Sequence, residues 1–179
     1  YVLDSSQVID RDIMTYVAQV QAVNADIQKT IATLPQNMPV YVMGNSLGSE
    51  SALYALKQNI QIRAAALITA RGSIADFIWN TPEGKGFKPI YQNNGYTFER
   101  LARELAPIEP LTHLESLAHR RLFVAYTTDD TTIPPANTKL LIDHLTTSNV
   151  KTYHRGNHIG ATVMGLAAFW RWHRFFLQS

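Results

Sequence analysis

The stretch Val40-Tyr41-Val42-Met43-Gly44-Asn45-Ser46-Leu47-Gly48-Ser49 decides how the rest of the chain is read. Its first half, entered from Pro39, is a nearly unbroken apolar and β-branched run, which suits a strand covered on both faces. After Gly48 a helical pattern takes over, with Ala52, Leu53, Ala55 and Leu56 on one face. Between them lies Gly44-Asn45-Ser46-Leu47-Gly48, a serine with a glycine two residues to either side. At ~7 % glycine usage those three letters arise by chance in such a chain about one time in fifteen, so the setting matters more than the letters. A strand running straight into a tight turn and then a helix starting near Ser49 projects the serine at the C-terminal edge of a sheet. The same turn aims the Leu47 N–H and the start of the helix at the space in front of the hydroxyl.

Reading outward, residues 12–34 carry Ile13, Val17, Val20, Ala25, Ile27 and Ile31 at a spacing of three to four and are followed by Pro35, which predicts an amphipathic helix. Residues 64–69 predict a second buried strand, although Ala64, Ala65 and Ala66 favour helix intrinsically. From 71 to 110 the pattern loosens around Pro82, Gly84, Gly86, Pro89, Gly95, Pro107 and Pro110, with short helical stretches at 74–79 and 97–105. This segment is expected to form a cap or lid. Order returns with a strand at 121–126, a helix at 136–145, a strand at 150–154 and a last helix at 162–177. Strands alternating with helices predict an α/β fold, an open, mostly parallel sheet with helices on both faces.

Composition narrows the function. A chain of 179 residues amounts to about one domain. Its 46 % hydrophobic and 17 % charged residues are too apolar for disorder, and no apolar run reaches the ~20 residues of a membrane span. Sixteen Lys and Arg against fourteen Asp and Glu leave a net charge of +2, too weak a field to imply a nucleic-acid partner. The absence of cysteine excludes a disulfide scaffold, a thiolate metal site and a cysteine nucleophile, and leaves the compartment open. Neither a phosphate-binding loop nor a dinucleotide fingerprint is present, so no cofactor is implied.

A serine hydroxyl is a poor nucleophile until a base takes its proton, so the reading of Ser46 demands a histidine and a carboxylate to orient it. Asp130 follows the strand at 121–126 in Thr127-Thr128-Asp129-Asp130-Thr131-Thr132-Ile133-Pro134, and His158 follows the strand at 150–154 in Gly156-Asn157-His158-Ile159-Gly160. Both stand at the C-terminal ends of strands, where open α/β sheets gather functional groups. The three are so far apart in sequence that only the fold can join them.

Together these three motifs resemble the α/β-hydrolase superfamily, and the resemblance runs from about Asp12 to the C-terminus. The family order of serine, acid, histidine is matched. The resemblance implies Ser46 as nucleophile, Asp130 as the acid that orients His158, His158 as general base, and the Leu47 N–H as one oxyanion donor. It implies a serine esterase or lipase-like hydrolase acting on a small to medium acyl substrate, with residues 71–110 in the cap position of a catalytic domain spanning 1–179. Two departures stand out. Thr127 occupies the place of the usual glycine before the acid, and Asp129 rivals Asp130, which the Ile133-Pro134 spacing favours. Only four strands are legible where the family builds about eight. The chain also opens at Tyr1 without an initiator Met or a signal-peptide pattern. The expectation is therefore the C-terminal portion of a larger hydrolase, with the second oxyanion donor outside this chain and a complementary N-terminal polypeptide or a second copy covering the strand at 40–43.

Other readings stay open at this stage. Asn45, Arg71, Phe77 and Trp79 are candidate substrate-binding residues. The aromatic side chains of 71–110 either line an apolar acyl pocket or form the core of the cap, and Arg71 meets either a substrate carboxylate or an acid of its own. Asp130 is also the residue type that closes turns onto backbone N–H groups. His154 and His158 have a helical metal spacing, but Gly156 and Asn157 interrupt it, so no metal is expected. The C-terminal run Phe169-Trp170-Arg171-Trp172-His173-Arg174-Phe175-Phe176 is expected to lay Phe169, Trp170, His173 and Phe176 on the sheet rather than on a membrane. Thioesterase, amidase, peptidase and acyltransferase chemistry would use the same three residues, and a non-catalytic binding or scaffold protein is the alternative from another class.

Overall fold

The computed structural model describes residues 12–117, 119–145 and 149–177, with side chains up to 168 except at 149. It holds a four-stranded parallel sheet in the order β1-β2-β3-β4, with β1 at Val40–Asn45, β2 at Ile62–Ile68, β3 at Arg121–Thr127 and β4 at Asn149–Tyr153. Among the described residues β1 and β4 are the sheet edges. Helices α1 (Ile13–Ala32), α2 (Leu47–Gln58), α6 (Leu114–Leu117) and α7 (Pro135–Ile142) surround one core, where Ile31, Leu53, Leu56, Leu117 and Leu141 meet Ile62, Leu67, Leu122 and Val124. On the opposite face α8 (His158–Leu177) covers Ala64, Ala66, Ile68, Phe123 and Ala125 through its contacts with β2 and β3. The predicted layering of helices on both faces of a parallel sheet is what the structure has.

Local chemistry explains the element ends. Asp12 caps α1 by accepting the Met14 N–H at 3.0 Å. On that helix Tyr16 and Asn24 are buried while Ala25 is exposed, so the predicted face is rotated slightly. The alanine run of β2 is fully buried, and helix propensity yields to packing there. Small side chains allow a close approach of α8: a Cβ on Gly165 would come within 2.7 Å of the Ile68 side chain. The strand expected at 64–69 begins earlier, at Ile62, and stops before Thr69, whose φ of 52° ends the extended backbone.

The last helix begins four residues earlier than its periodicity predicts. Asn157 accepts the Gly160 N–H on its side chain at 2.9 Å and the Ala161 N–H on its carbonyl at 2.9 Å, so His158 becomes the first helical residue rather than a loop residue. The expected contacts of Phe169, Trp170, His173 and Phe176 lie outside the described residues. Among the described residues no helix is long and apolar enough to cross a membrane.

The segment 71–110 carries three α-helices rather than the two helical stretches expected, α3 (Ile74–Asn80), α4 (Lys88–Asn93) and α5 (Phe98–Leu105), with a 3-10 turn at Glu83–Gly86 between the first two. Their buried residues Ile74, Phe77, Tyr91, Leu101 and Leu105 form one core with Ile13, Tyr16, Val17 and Val20 of α1. The carboxylate of Glu109 accepts the Ile74 and Ala75 N–H groups at 3.0 Å, which satisfies donors that the start of α3 would otherwise leave buried.

Candidate active site

The turn after β1 is forced by close packing. A Cβ on Gly44 would stand 2.2 Å from the Gly48 carbonyl oxygen, so only glycine lets the first turn of α2 fold back over the end of the strand. Gly48, by contrast, faces open space. Ser46 sits at φ 51° and ψ −121°, a strained conformation for a residue with a Cβ. Its N–H donates to Ile68 O at 2.8 Å, and the Ser49 hydroxyl stands 3.0 Å from Gly44 O and 3.1 Å from Ile68 O. The end of β1 is thereby tied to the end of β2. Leu47 opens α2, so its N–H is among the helix's first donors, which have no acceptor within the helix.

The structure brings Ser46, Asp130 and His158 together. His158 Nε2 lies 3.2 Å from Ser46 Oγ, and His158 Nδ1 lies 2.8 Å from Asp130 Oδ2. With the proton on Nδ1, the imidazole donates to Asp130 and leaves a lone pair on Nε2 to accept the serine hydroxyl. Asp130 is nearly wholly buried, and its other oxygen accepts the Thr132 and Ile133 N–H groups at 2.8 and 2.9 Å. Asp130 thus contacts the backbone N–H groups of the turn with one carboxylate oxygen and the His158 ring with the other. Burial pushes the Asp130 carboxyl up, but the hydrogen bond to His158 and the two backbone N–H groups outweigh it and hold the group below the usual carboxylate range. Asp129 is exposed and accepts the Thr128 hydroxyl at 3.2 Å.

The remaining candidates are dispersed. Asn45 turns its amide oxygen to the hydroxyls of Thr69 and Thr162, at 3.3 and 3.1 Å, and Thr162 also lies 3.1 Å from His158 O. Arg71 is buried, with Nη2 at 2.5 Å from Glu50 Oε1 and 3.1 Å from the Tyr16 hydroxyl, so it has an acid of its own. Phe77 is in the core below the Arg71 guanidinium, at 5.1 Å. Trp79 is half-buried, 6.3 Å from the Phe98 ring and 5.1 Å from the Lys88 ammonium.

Glu50, Thr69 and Thr162 were not singled out from sequence. Glu50 had a signal, because it interrupts the buried face of α2 while Arg71 interrupts the apolar segment after β2, and two opposite charges in apolar surroundings imply each other. Burial pushes the Glu50 carboxyl up to about 7; Arg71 opposes the rise and Glu109 adds to it. Among the described residues no three histidine or acidic side chains cluster in a way that could hold a metal ion.

No family model and no curated protein matches the chain in sequence. Solved structures do match it. The acetyl xylan esterase of Paenibacillus sp. R4 superposes with a TM-score of 0.64 at 20 % identity, over 92 % of this chain and 52 % of that one. The acylaminoacyl peptidase of Pyrococcus horikoshii gives 0.61 at 17 % identity, over 82 % of this chain and 24 % of that one. The Mycobacterium tuberculosis protein BpoC, described as a non-heme bromoperoxidase, gives 0.58 at 18 % identity, over 89 % and 74 %. The chain therefore spans about three quarters of one of these proteins, about half of another and about a quarter of the third. From the parallel sheet, the turn at Ser46 and these superpositions together, the fold of this chain is that of the α/β hydrolases.

Proposed function

We propose that this chain carries the nucleophile, acid and base of a serine hydrolase that cleaves carboxylic esters through an acyl-enzyme on Ser46. The observation that supports it best is the continuous hydrogen-bonded series from Ser46 Oγ through the His158 ring to Asp130. In this reading His158 Nε2 takes the hydroxyl proton as Ser46 Oγ bonds to the acyl carbon, and the carbonyl π electrons move onto oxygen, near the Leu47 N–H. The electron pair returns, the C–O bond to the alcohol breaks, and the imidazolium proton passes to the departing oxygen. Water then attacks the acyl-enzyme, giving its proton to His158, which returns it to Ser46 Oγ as the carboxylic acid leaves. Asp130, ionised at neutral pH, keeps the imidazole in the tautomer that this requires and stabilises its cation. The acetyl xylan esterase among the structural neighbours carries ester cleavage in its name, which supports an ester as the substrate class.

A fluorophosphonate probe tests the assignment. Wild-type protein is expected to label with one probe per chain and to hydrolyse p-nitrophenyl acetate, while Ser46→Ala does neither. Labelling that persists in Ser46→Ala would remove this serine from the mechanism, and a folded wild type that neither labels nor hydrolyses would favour a binding protein.

A further inference from the structure

The buried ion pair between Glu50 and Arg71 takes no part in the chemistry above, yet it sits one helical turn from Ser46. We infer that this pair is a positioning element that clamps the turn at Ser46 to the segment leaving β2; the inference rests on the reading of Ser46 as nucleophile.

The connections between the two segments form a series. Nearest the sheet, the Ser46 N–H donates to Ile68 O and the Ser49 hydroxyl bridges Gly44 O and Ile68 O. Farther out, Glu50 Oε1 and Arg71 Nη2 meet at 2.5 Å. Two strained residues lie inside this bracket, Ser46 at φ 51° and Thr69 at φ 52°, the two non-glycine positive φ values among the described residues. Such a conformation is strained and persists only where its surroundings over-determine it. The ion pair is one of those surroundings.

Its chemistry fits positioning better than stabilisation. Both side chains are removed from solvent, at 5 % and 0 % exposure, and a buried pair generally stabilises a fold no better than apolar residues of similar volume. A guanidinium does fix direction, because its N–H groups form a rigid fork. Here one Arg71 nitrogen reaches Glu50 on α2 and the Tyr16 hydroxyl on α1, while the guanidinium faces the Phe77 ring on α3. Three helices are thus referenced to one side chain beside the nucleophile. Glu109, the other acid near the pair, is occupied by the N–H groups that start α3. The hydrogen bond from Ser46 Oγ to His158 Nε2, at 3.2 Å, has little slack, and a misplacement of ~1 Å in such a geometry can lower a rate about 100-fold.

The test removes both charges together, as Glu50→Leu with Arg71→Met, so that neither is left buried alone. The double variant is compared with wild type by melting temperature, fluorophosphonate labelling rate, and kcat and KM for p-nitrophenyl acetate. A positioning role predicts a melting temperature at or above wild type, stoichiometric labelling at a rate at least tenfold lower, kcat lower by at least tenfold, and KM within about twofold. Arg71→Lys, which keeps the charge but not the fork, is expected to recover only part of the lost kcat. A folded double variant with wild-type kcat and labelling rate overturns the inference. So does a double variant that fails to fold or whose loss lies in KM alone, since the pair would then hold the fold or the substrate. If wild type itself does not label at Ser46, the parent reading fails instead, which separates the two.

Discussion

The two glycines that flank Ser46 look equivalent in sequence, and the structure assigns them opposite roles. In Gly44→Ala the new Cβ would lie 2.2 Å from Gly48 O, 2.4 Å from Gly48 C and 2.6 Å from Ser49 Cα. Relief to ordinary contact needs roughly 1 Å of movement, and because backbone rather than a flexible side chain stands in the way, the cost belongs at the upper end of the 1–3 kcal/mol typical of overpacking. For a chain of this size that lowers the melting temperature by about 5–10 °C. The movement falls on residues 44–49, the turn that holds Ser46, so its 3.2 Å hydrogen bond to His158 stretches beyond bonding distance and kcat/KM falls ~100-fold or more. In Gly48→Ala the Cβ meets nothing within 4 Å, and the change gains up to about 1 kcal/mol of helix propensity in α2. Thermal melts and p-nitrophenyl acetate kinetics on both variants decide the matter. Near-wild-type activity and melting in Gly44→Ala, or a Gly48→Ala as damaged as Gly44→Ala, would refute the account of the turn.

Further outcomes follow from the acids. Asp130→Asn keeps an oxygen for the Thr132 and Ile133 N–H groups but loses the charge that faces His158, so kcat is expected to fall about a thousandfold or more while Asp129→Asn stays within about twofold. The reverse order in steady-state kinetics would move the acid to Asp129. Glu50 bears on stability: folded, it retains its proton up to about pH 7, whereas unfolded it releases it near 4.5, so the native state binds more protons between those values and stability falls as pH rises through them. Glu50→Gln should remove that dependence, flattening the decline in urea-unfolding free energy between about pH 4.5 and 7. An unchanged slope in that variant would place the effect elsewhere.

Much of the fold was legible because its decisive signals are local. The change from the β-branched run at Val40 to the helical spacing after Gly48 marks strand, turn and helix, and the turn around Asp130 follows the apolar strand at 121–126. What escaped is set by tertiary contacts. The start of α8 depends on Asn157 capping a helix that Gly160 and Gly165 would seem to discourage, and Gly165 is there because α8 lies close on Ile68. The hydroxyls of Thr69 and Thr162 meet at Asn45 from three separate elements, a convergence that spacing along the chain cannot express. Glu50 carried a signal in its place on the buried face of α2, but a glutamate in a helix is ordinarily a solvated residue, and only its burial in the fold makes it notable.

Because His158 is the first residue of α8, its imidazole is mounted on the end of a rod. Gly165 lies two turns along that rod, about 10 Å away at 1.5 Å per residue, and it sets how closely the rod rests on the sheet that also carries Ser46. The gap between His158 Nε2 and Ser46 Oγ is therefore adjustable from a position that touches neither side chain. Trading small side chains along the seam of Ala161, Gly165 and Ala168 would retune that gap while leaving Ser46, Asp130 and His158 as they are.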